Sequence, residues 1–200
     1  MSPAHVLEPT YRKLKSGLTR GAWPAGNRLE ALRLAEEFGV SMTPVRDSLN
    51  RLVGERLVDF RPGEGYRVPL VTEQHLRDLL DLHLLMINHA LHSAEADRAA
   101  PLPSSGLADY AEELSSLFGM IGSWSQNSVL EDCLRLLGDR LTPARRAEPC
   151  VVRGAEERLT RMKELARRSD PELPEEIAAY HEESCAHASA ILRHLGESGR

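Results

Sequence analysis

The stretch GVSMTPVRDSLNRL, Gly39–Leu52, decides how the front of the chain is read. Pro44 stands inside what is otherwise an amphipathic helix. Proline in a helix interior costs about 3 kcal/mol, but in the first turn its missing N–H has no partner to lose. The spacing therefore predicts a helix that begins here, with Ser41 as N-cap and Gly39 closing the helix before it. Val45, Leu49 and Leu52 fall at i, i+4 and i+7 and make one apolar face, while Thr43, Arg46 and Asn50 share another. The exposed first turns carry short donors and a guanidinium.

Reading towards the N-terminus, Leu7, Tyr11, Leu14 and Leu18 recur at helical spacing and predict a buried stripe ending near Gly21. WPAG (Trp23–Gly26) is a turn, NRL after it a short strand, and a second helix is expected from about Glu30 to Phe38 with Leu34, Ala35 and Phe38 inward. Towards the C-terminus, LVDFRPGEGYRVPL alternates apolar and polar residues about a Pro-Gly-Glu-Gly turn. That is a hairpin, with Gly63 and Gly65 supplying the unusual backbone angles. Helix, strand, helix, turn, helix and hairpin within about seventy residues describe a winged helix-turn-helix.

From Thr72 the chain changes character. HLRDLLDLHLLMINHALHSAEA predicts a long leucine-rich helix, and PLPSSG (Pro101–Gly106) separates it from a helix around Leu107–Ile121. GSWSQNS reads as a junction before a helix near Val129–Leu141. TPARRAEP, with two prolines, is expected to interrupt again, before helices near Ala155–Arg168 and Pro174–Leu195 joined by SDPELP. No strand is expected after Pro69. The fold class is mainly α: residues 1–70 a winged helix-turn-helix with a small β-hairpin wing, residues 71–200 an all-helical bundle of five or six helices.

Composition narrows the function classes. The 200 residues, 42% hydrophobic and 28% charged, are ordinary for a soluble globular protein, and a 4% aromatic share argues against a stacking surface for single strands. No apolar run is long enough for a bilayer and the start MSPAHVLEP lacks a secretory pattern, so a cytoplasmic protein without a membrane partner is expected. Cys133, Cys150 and Cys185 are scattered and odd in number, which fits reduced thiols. Residues 1–70 hold 11 Lys+Arg against 8 Asp+Glu, and the remainder 14 against 22. Only the front suits a polyanion.

The major groove of B-DNA admits one helix, whose N-terminal residues reach base edges, and a helix N-terminus offers free N–H groups to phosphate. Arg46 can donate two hydrogen bonds to a guanine, worth about 1–3 kcal/mol of discrimination. Ser41 and Thr43 suit phosphate or a thymine methyl.

The pattern Leu29…LeuAla…PheGlyVal-Ser-x-Thr-Pro-Val-Arg-x-x-Leu-x-x-Leu…Arg-Leu-Val…Pro-Gly-x-Gly-x-x-Val resembles the DNA-binding domain of the GntR family of bacterial transcription regulators, over roughly Tyr11–Pro69. The resemblance implies a homodimer on a short palindromic double-stranded operator. It also implies DNA contacts by Ser41, Thr43, Arg46 and the wing at Gly63. The helix face adds Asn50, and charge and position add Arg33, Arg61 and Arg67 as phosphate contacts. Met42, within the contact segment, stands where the family usually has a basic residue. Glu64 stands at the wing tip and adds repulsion, so an altered or weaker operator affinity is expected.

The helical half resembles, more faintly, the effector domain of the FadR subfamily. Many of its members bind a metal through an Asp-x-x-x-His pair and two later histidines. The matching positions here are Ser115, Gly119, Arg158 and His181, of which only His181 keeps a ligand side chain. No metal and no cofactor is expected. Arg158 is instead a candidate for holding an anionic effector by bidentate pairing, with an exposed helix-surface role as the equal alternative. His83 takes the position of a common family arginine and joins Arg158 and His181 as a candidate effector contact. His89 and His92 are read as surface residues, and Met86, Met120 and Met162 as bundle core.

No GxSxG, Walker, HExxH or CxxC pattern is present, so the chain does not read as an enzyme. The expected function is an operator-binding regulator, with repression the family's usual polarity, controlled by a small molecule in the helical half. Two alternatives stay open: a DNA-binding dimer whose helical half no longer senses, and a winged-helix adaptor that binds protein.

Overall fold

The computed structural model describes residues 3–93 and 109–198, in two compact units whose division falls between Val71 and Thr72. The PLPSSG segment and the predicted start of the following helix at Leu107 lie outside the described residues.

In the first unit α1 (Pro3–Thr19) buries Tyr11, Leu14 and Leu18, while Leu7 is half-buried at the stripe's end. β1 (Arg28–Leu29) precedes α2 (Ala31–Phe38), which Gly39 ends at φ 67°. That left-handed turn lets the Val40 amide reach the Ala35 carbonyl at 3.0 Å. α3 (Met42–Gly54) then starts as the proline requires and buries Val45, Leu49 and Leu52 completely. Each such side chain withdrawn from water contributes about 1.5–3 kcal/mol. Ser41 has the extended backbone of an N-cap, but its side chain makes no capping bond. Its hydroxyl thus stays with the exposed tip.

β2 (Asp59–Arg61) and β3 (Gly65–Arg67) form the wing hairpin, and β1 adds on the far side of β3 in the antiparallel order β1-β3-β2. The register sets Leu29 and Phe60 opposite Tyr66, and Arg61 opposite Gly65. Gly63 and Gly65, at φ 82° and 81°, carry the turn.

The second unit comprises α4 (Glu73–Ser93), α5 (Tyr110–Ser123), α6 (Ser128–Val151), α7 (Ala155–Arg168), α8 (Leu173–Ala186) and α9 (Ala188–Ser198). No strand occurs after Arg67 among the described residues. Asp109 caps α5 through the Glu112 amide and Asn127 caps α6 through the Val129 and Leu130 amides, which starts both helices sharply. One core gathers Leu114, Phe118, Ile121, Met162 and Tyr180; a second gathers Leu76, Leu80, Leu141 and Ile191.

Two expectations are corrected here. TPARRAEP does not interrupt the bundle, because α6 runs through both Pro143 and Pro149. Burial of Leu141, Ala144, Arg145, Ala147 and Glu148 along one face outweighs the two missing backbone bonds. The last expected helix is two helices, broken at His187.

Candidate functional site

Ser41, Met42, Thr43, Arg46 and Asn50 are all exposed at the head and outer face of α3, with Met42 39% exposed. Arg46 makes no hydrogen bond or ion pair among the described residues, and neither does exposed Arg33 on α2. A guanidinium left without an internal carboxylate keeps all five donors for an external acceptor. Asn50 is engaged on one side, where its amide oxygen accepts from the Tyr66 hydroxyl at 2.7 Å.

At the wing, Gly63 and Arg61 are exposed and Arg67 is half-buried. Glu64 pairs with both arginines, at 3.8 Å to Arg61 and 3.4 Å to Arg67, and Arg67 also donates to the Gly26 carbonyl at 3.2 Å. Glu64 therefore does more than repel a phosphate: it occupies the cations expected to meet one. Arg67 is turned to its own unit, unlike Arg46. These pairs lie at the surface, where each is worth at most about 1 kcal/mol.

In the helical unit the structure brings His83 and His181 together and leaves Arg158 elsewhere. Arg158 on α7 pairs with Glu176 at 3.5 Å and Glu183 at 2.9 Å, so its charge is already met by α8. Arg158 is not among the residues that line the cavity described below. The buried guanidinium is Arg145 of α6, 1% exposed, which the expected helix break hid.

Arg145 donates to His83 Nε2 at 3.1 Å and to the Ser115 hydroxyl at 3.3 Å, and lies over the Phe118 ring. His83 Nδ1 is 2.9 Å from His181 Nε2, and His181 Nδ1 is 2.7 Å from the Ile177 carbonyl. These contacts fix both tautomers. A carbonyl only accepts, so His181 carries its proton on Nδ1; its Nε2 then accepts from His83 Nδ1–H, leaving His83 Nε2 to accept from Arg145. The relay holds both rings neutral. Burial, with the Arg145 charge added, lowers His83 well below the ordinary imidazole range and takes His181 down to about 4.

Three residues further along α6, buried Glu148 accepts from Tyr110 at 2.9 Å, Tyr180 at 3.1 Å and Ser184 at 3.0 Å. Burial raises its pKa, partly offset by Arg145. A cavity of about 300 Å³ opens between α5 and α6. Arg145, His83 and Phe118 line it, and Ser115 and Gly119 stand on its α5 wall. His181 does not line it but lies behind His83.

These residues do not suit a divalent metal. The histidines use their ring nitrogens on each other, on Arg145 and on the backbone, and a buried guanidinium repels a second cation. Among the described residues no three His, Cys, Asp or Glu side chains form a possible metal group. No described helix is long and apolar enough to cross a membrane.

The three helices, the small sheet and the exposed tip of α3 define the first unit as a winged helix-turn-helix. Residues 8–68 match the family described as "Bacterial regulatory proteins, gntR family". The HTH-type transcriptional repressor GlaR of Escherichia coli is 37% identical over 71 residues, 36% of this chain and 32% of that protein. The regulator McbR of the same organism is 39% identical over 66 residues, 33% of this chain and 30% of that protein. These matches span about a third of the length of the curated relatives. The likeness in fold reaches further. The crystal structure of "a putative transcriptional regulator GntR from Rhodococcus sp. RHA1" superposes with a TM-score of 0.75 at 15% identity, covering 92% of this chain and 97% of the other. E. coli McbR/YncC gives 0.62 at 22% identity over 96% and 98%.

Proposed function

We propose that the protein is a sequence-specific, DNA-binding transcription regulator acting in the cytoplasm as a homodimer. Residues 1–70 read a palindromic operator and residues 71–200 dimerise and sense a small molecule. The observation that carries this reading is the exposed head of α3, where Arg46 has no partner among the described residues and Ser41 keeps its hydroxyl free of a capping bond. Thr43, Asn50, Met42 and the wing around Gly63 flank that head, with Arg33 and Arg61 placed for phosphates. Repression is the proposed polarity, as in the name of the relative GlaR.

A cavity among buried polar side chains supports the sensing role. A ligand that prefers one relative placement of the two DNA-binding units in the dimer would shift operator affinity by its differential binding to the two states. For dimerisation, Leu82 and Leu85 on α4 expose 46% and 66% of their surface on a helix whose other face buries Leu76, Leu80, His83 and Ile87.

The test is salt-dependent binding to palindromic fragments from the DNA flanking the coding region. Arg46→Ala is expected to cost about 1–3 kcal/mol and relax preference at one base position. Equal binding by wild type and variant, or no fragment bound above random DNA, counts against the regulator.

A further inference from the structure

We infer that Met42 is a specificity-determining residue of α3, packing its thioether on the 5-methyl group of a thymine in the major groove. The thymine lies within one or two base pairs of the base that Arg46 reads. This deepens the regulator reading above and rests on it.

Burial sorts the apolar residues of α3 into two kinds. Val45, Leu49 and Leu52 are wholly enclosed, whereas Met42 is 39% exposed and does not join the core that those three build with Tyr11 and Leu14. A long apolar side chain held in water at the first residue of a helix contributes little to the folding of its own unit. Pro44, two residues on, fixes the backbone of that turn, so the side chain is presented from a rigid base.

The neighbours of Met42 are polar and unengaged. Arg46 stands at i+4 from Met42 and at i+3 from Thr43, so the three side chains share one patch. Neither the Thr43 hydroxyl nor the Arg46 guanidinium has a hydrogen-bond or ion-pair partner among the described residues. Such a patch suits a surface of fixed acceptors interrupted by an apolar spot. The major groove of a duplex is that surface: the O6, N7 and O4 atoms accept, and the apolar group on the base edges is the thymine methyl. Phosphate oxygens or the amino groups of adenine and cytosine, pressed against a thioether, would lose water without gaining a hydrogen bond. Against the methyl, Met42 gives up its own water and strands no polar group. Its unbranched, polarisable chain adapts to where that methyl stands.

Helix geometry supplies the register. Four residues of helix advance about 6 Å, and successive base pairs lie about 3.4 Å apart. With α3 laid in the groove, the thymine therefore falls one or two steps from the base that Arg46 reads.

The test uses the full chain and a randomised duplex pool, enriched for bound palindromes. The enriched operator is remade with deoxyuridine in place of each thymine in turn, symmetrically in both half-sites, which removes the methyl and nothing else. At one thymine, within two base pairs of the position relaxed by Arg46→Ala, this exchange is expected to weaken binding roughly tenfold over the two half-sites. Met42→Ala should bind the thymine and uracil operators alike, and Met42→Leu should keep the preference. Thr43→Ser, which removes the threonine methyl alone, should keep it as well. Because Met42 lies outside the core, its variants should melt with the wild type. A thymine preference that survives Met42→Ala, one that is lost in Thr43→Ser, or an enriched operator indifferent to uracil at every position overturns the proposal and leaves the regulator reading standing. A pool that yields no palindrome overturns both.

Discussion

The Tyr66 hydroxyl on the wing donates to the Asn50 side-chain oxygen on α3 across 2.7 Å. The bond joins the two elements proposed to face DNA and takes up one of the two acceptor sites of the Asn50 oxygen, leaving its amide hydrogens and one acceptor site to offer. In the proposed complex the fixed oxygen restricts how Asn50 can turn towards a base edge or a phosphate. Tyr66→Phe frees the oxygen and loosens the wing. The expected outcome is a loss of roughly three- to tenfold in operator affinity, with non-additive effects in the Asn50→Ala double variant. Additive losses in anisotropy titrations would separate the two residues.

Glu64 sets the charge of the wing. Glu64→Gln releases Arg61 and Arg67 from its carboxylate and removes one negative charge from the wing. Affinity at moderate salt is expected to rise several-fold, and the slope of log K against log salt to steepen by about one for each phosphate that a freed arginine neutralises. An unchanged slope would mean that the wing arginines stay clear of the backbone.

The His83–His181 relay has a pH signature. Both folded-state values lie below that of the unfolded chain, so on acidification the unfolded state takes up protons first. The contribution to stability is intact above the unfolded value of about 6.5 and is lost as pH falls towards the folded value of about 4 for His181. Glu148 has the opposite sign: its raised folded value favours the fold at low pH and costs stability as pH rises through it. The two partly cancel in a melting curve, so the decisive measurement is two-bond nitrogen–proton NMR on the rings. At about pH 5.5 both histidines should remain neutral with the proton on Nδ1, and a charged ring there would contradict the assigned relay.

Leu85, beside Leu82 on α4, gives the proposed dimer a direct test. Leu85→Glu leaves the core untouched because the side chain is largely exposed, so the thermal transition should persist while sedimentation shifts to the monomer. Operator affinity should drop with it, since a palindrome is read by two linked units. A variant that remains dimeric places the interface elsewhere.

Much of the first unit was legible in the sequence because its signals are local. Pro44 after Ser41 marks a helix start by steric necessity, Gly39 marks the end before it, and the apolar period through Val45, Leu49 and Leu52 names the buried face. The engagement of Glu64 with two arginines across the wing turn was not legible, since it depends on how a three-residue hairpin folds its side chains back. In the helical unit one misreading led to another. Two prolines in TPARRAEP outweighed a pattern that continues through them, Leu134, Leu137, Leu141, Ala144 and Glu148, and taking the segment for a loop hid Arg145. Arg158 drew attention by its place in the family alignment, but its ion pairs to α8 are long-range and no spacing announces them.

The two prolines of α6 stand on either side of Arg145. Proline has no N–H, so the carbonyls four residues earlier, those of Asp139 and of Arg145 itself, lose their usual rungs. Amide hydrogen exchange cannot report on Pro143 or Pro149 themselves. The amides of residues 144–148 between them can, and a ligand seated in the cavity that Arg145 lines should slow their exchange more than that of the flanking turns. The turn of α6 that lacks two backbone rungs is thus also where an occupied cavity would be most readily felt.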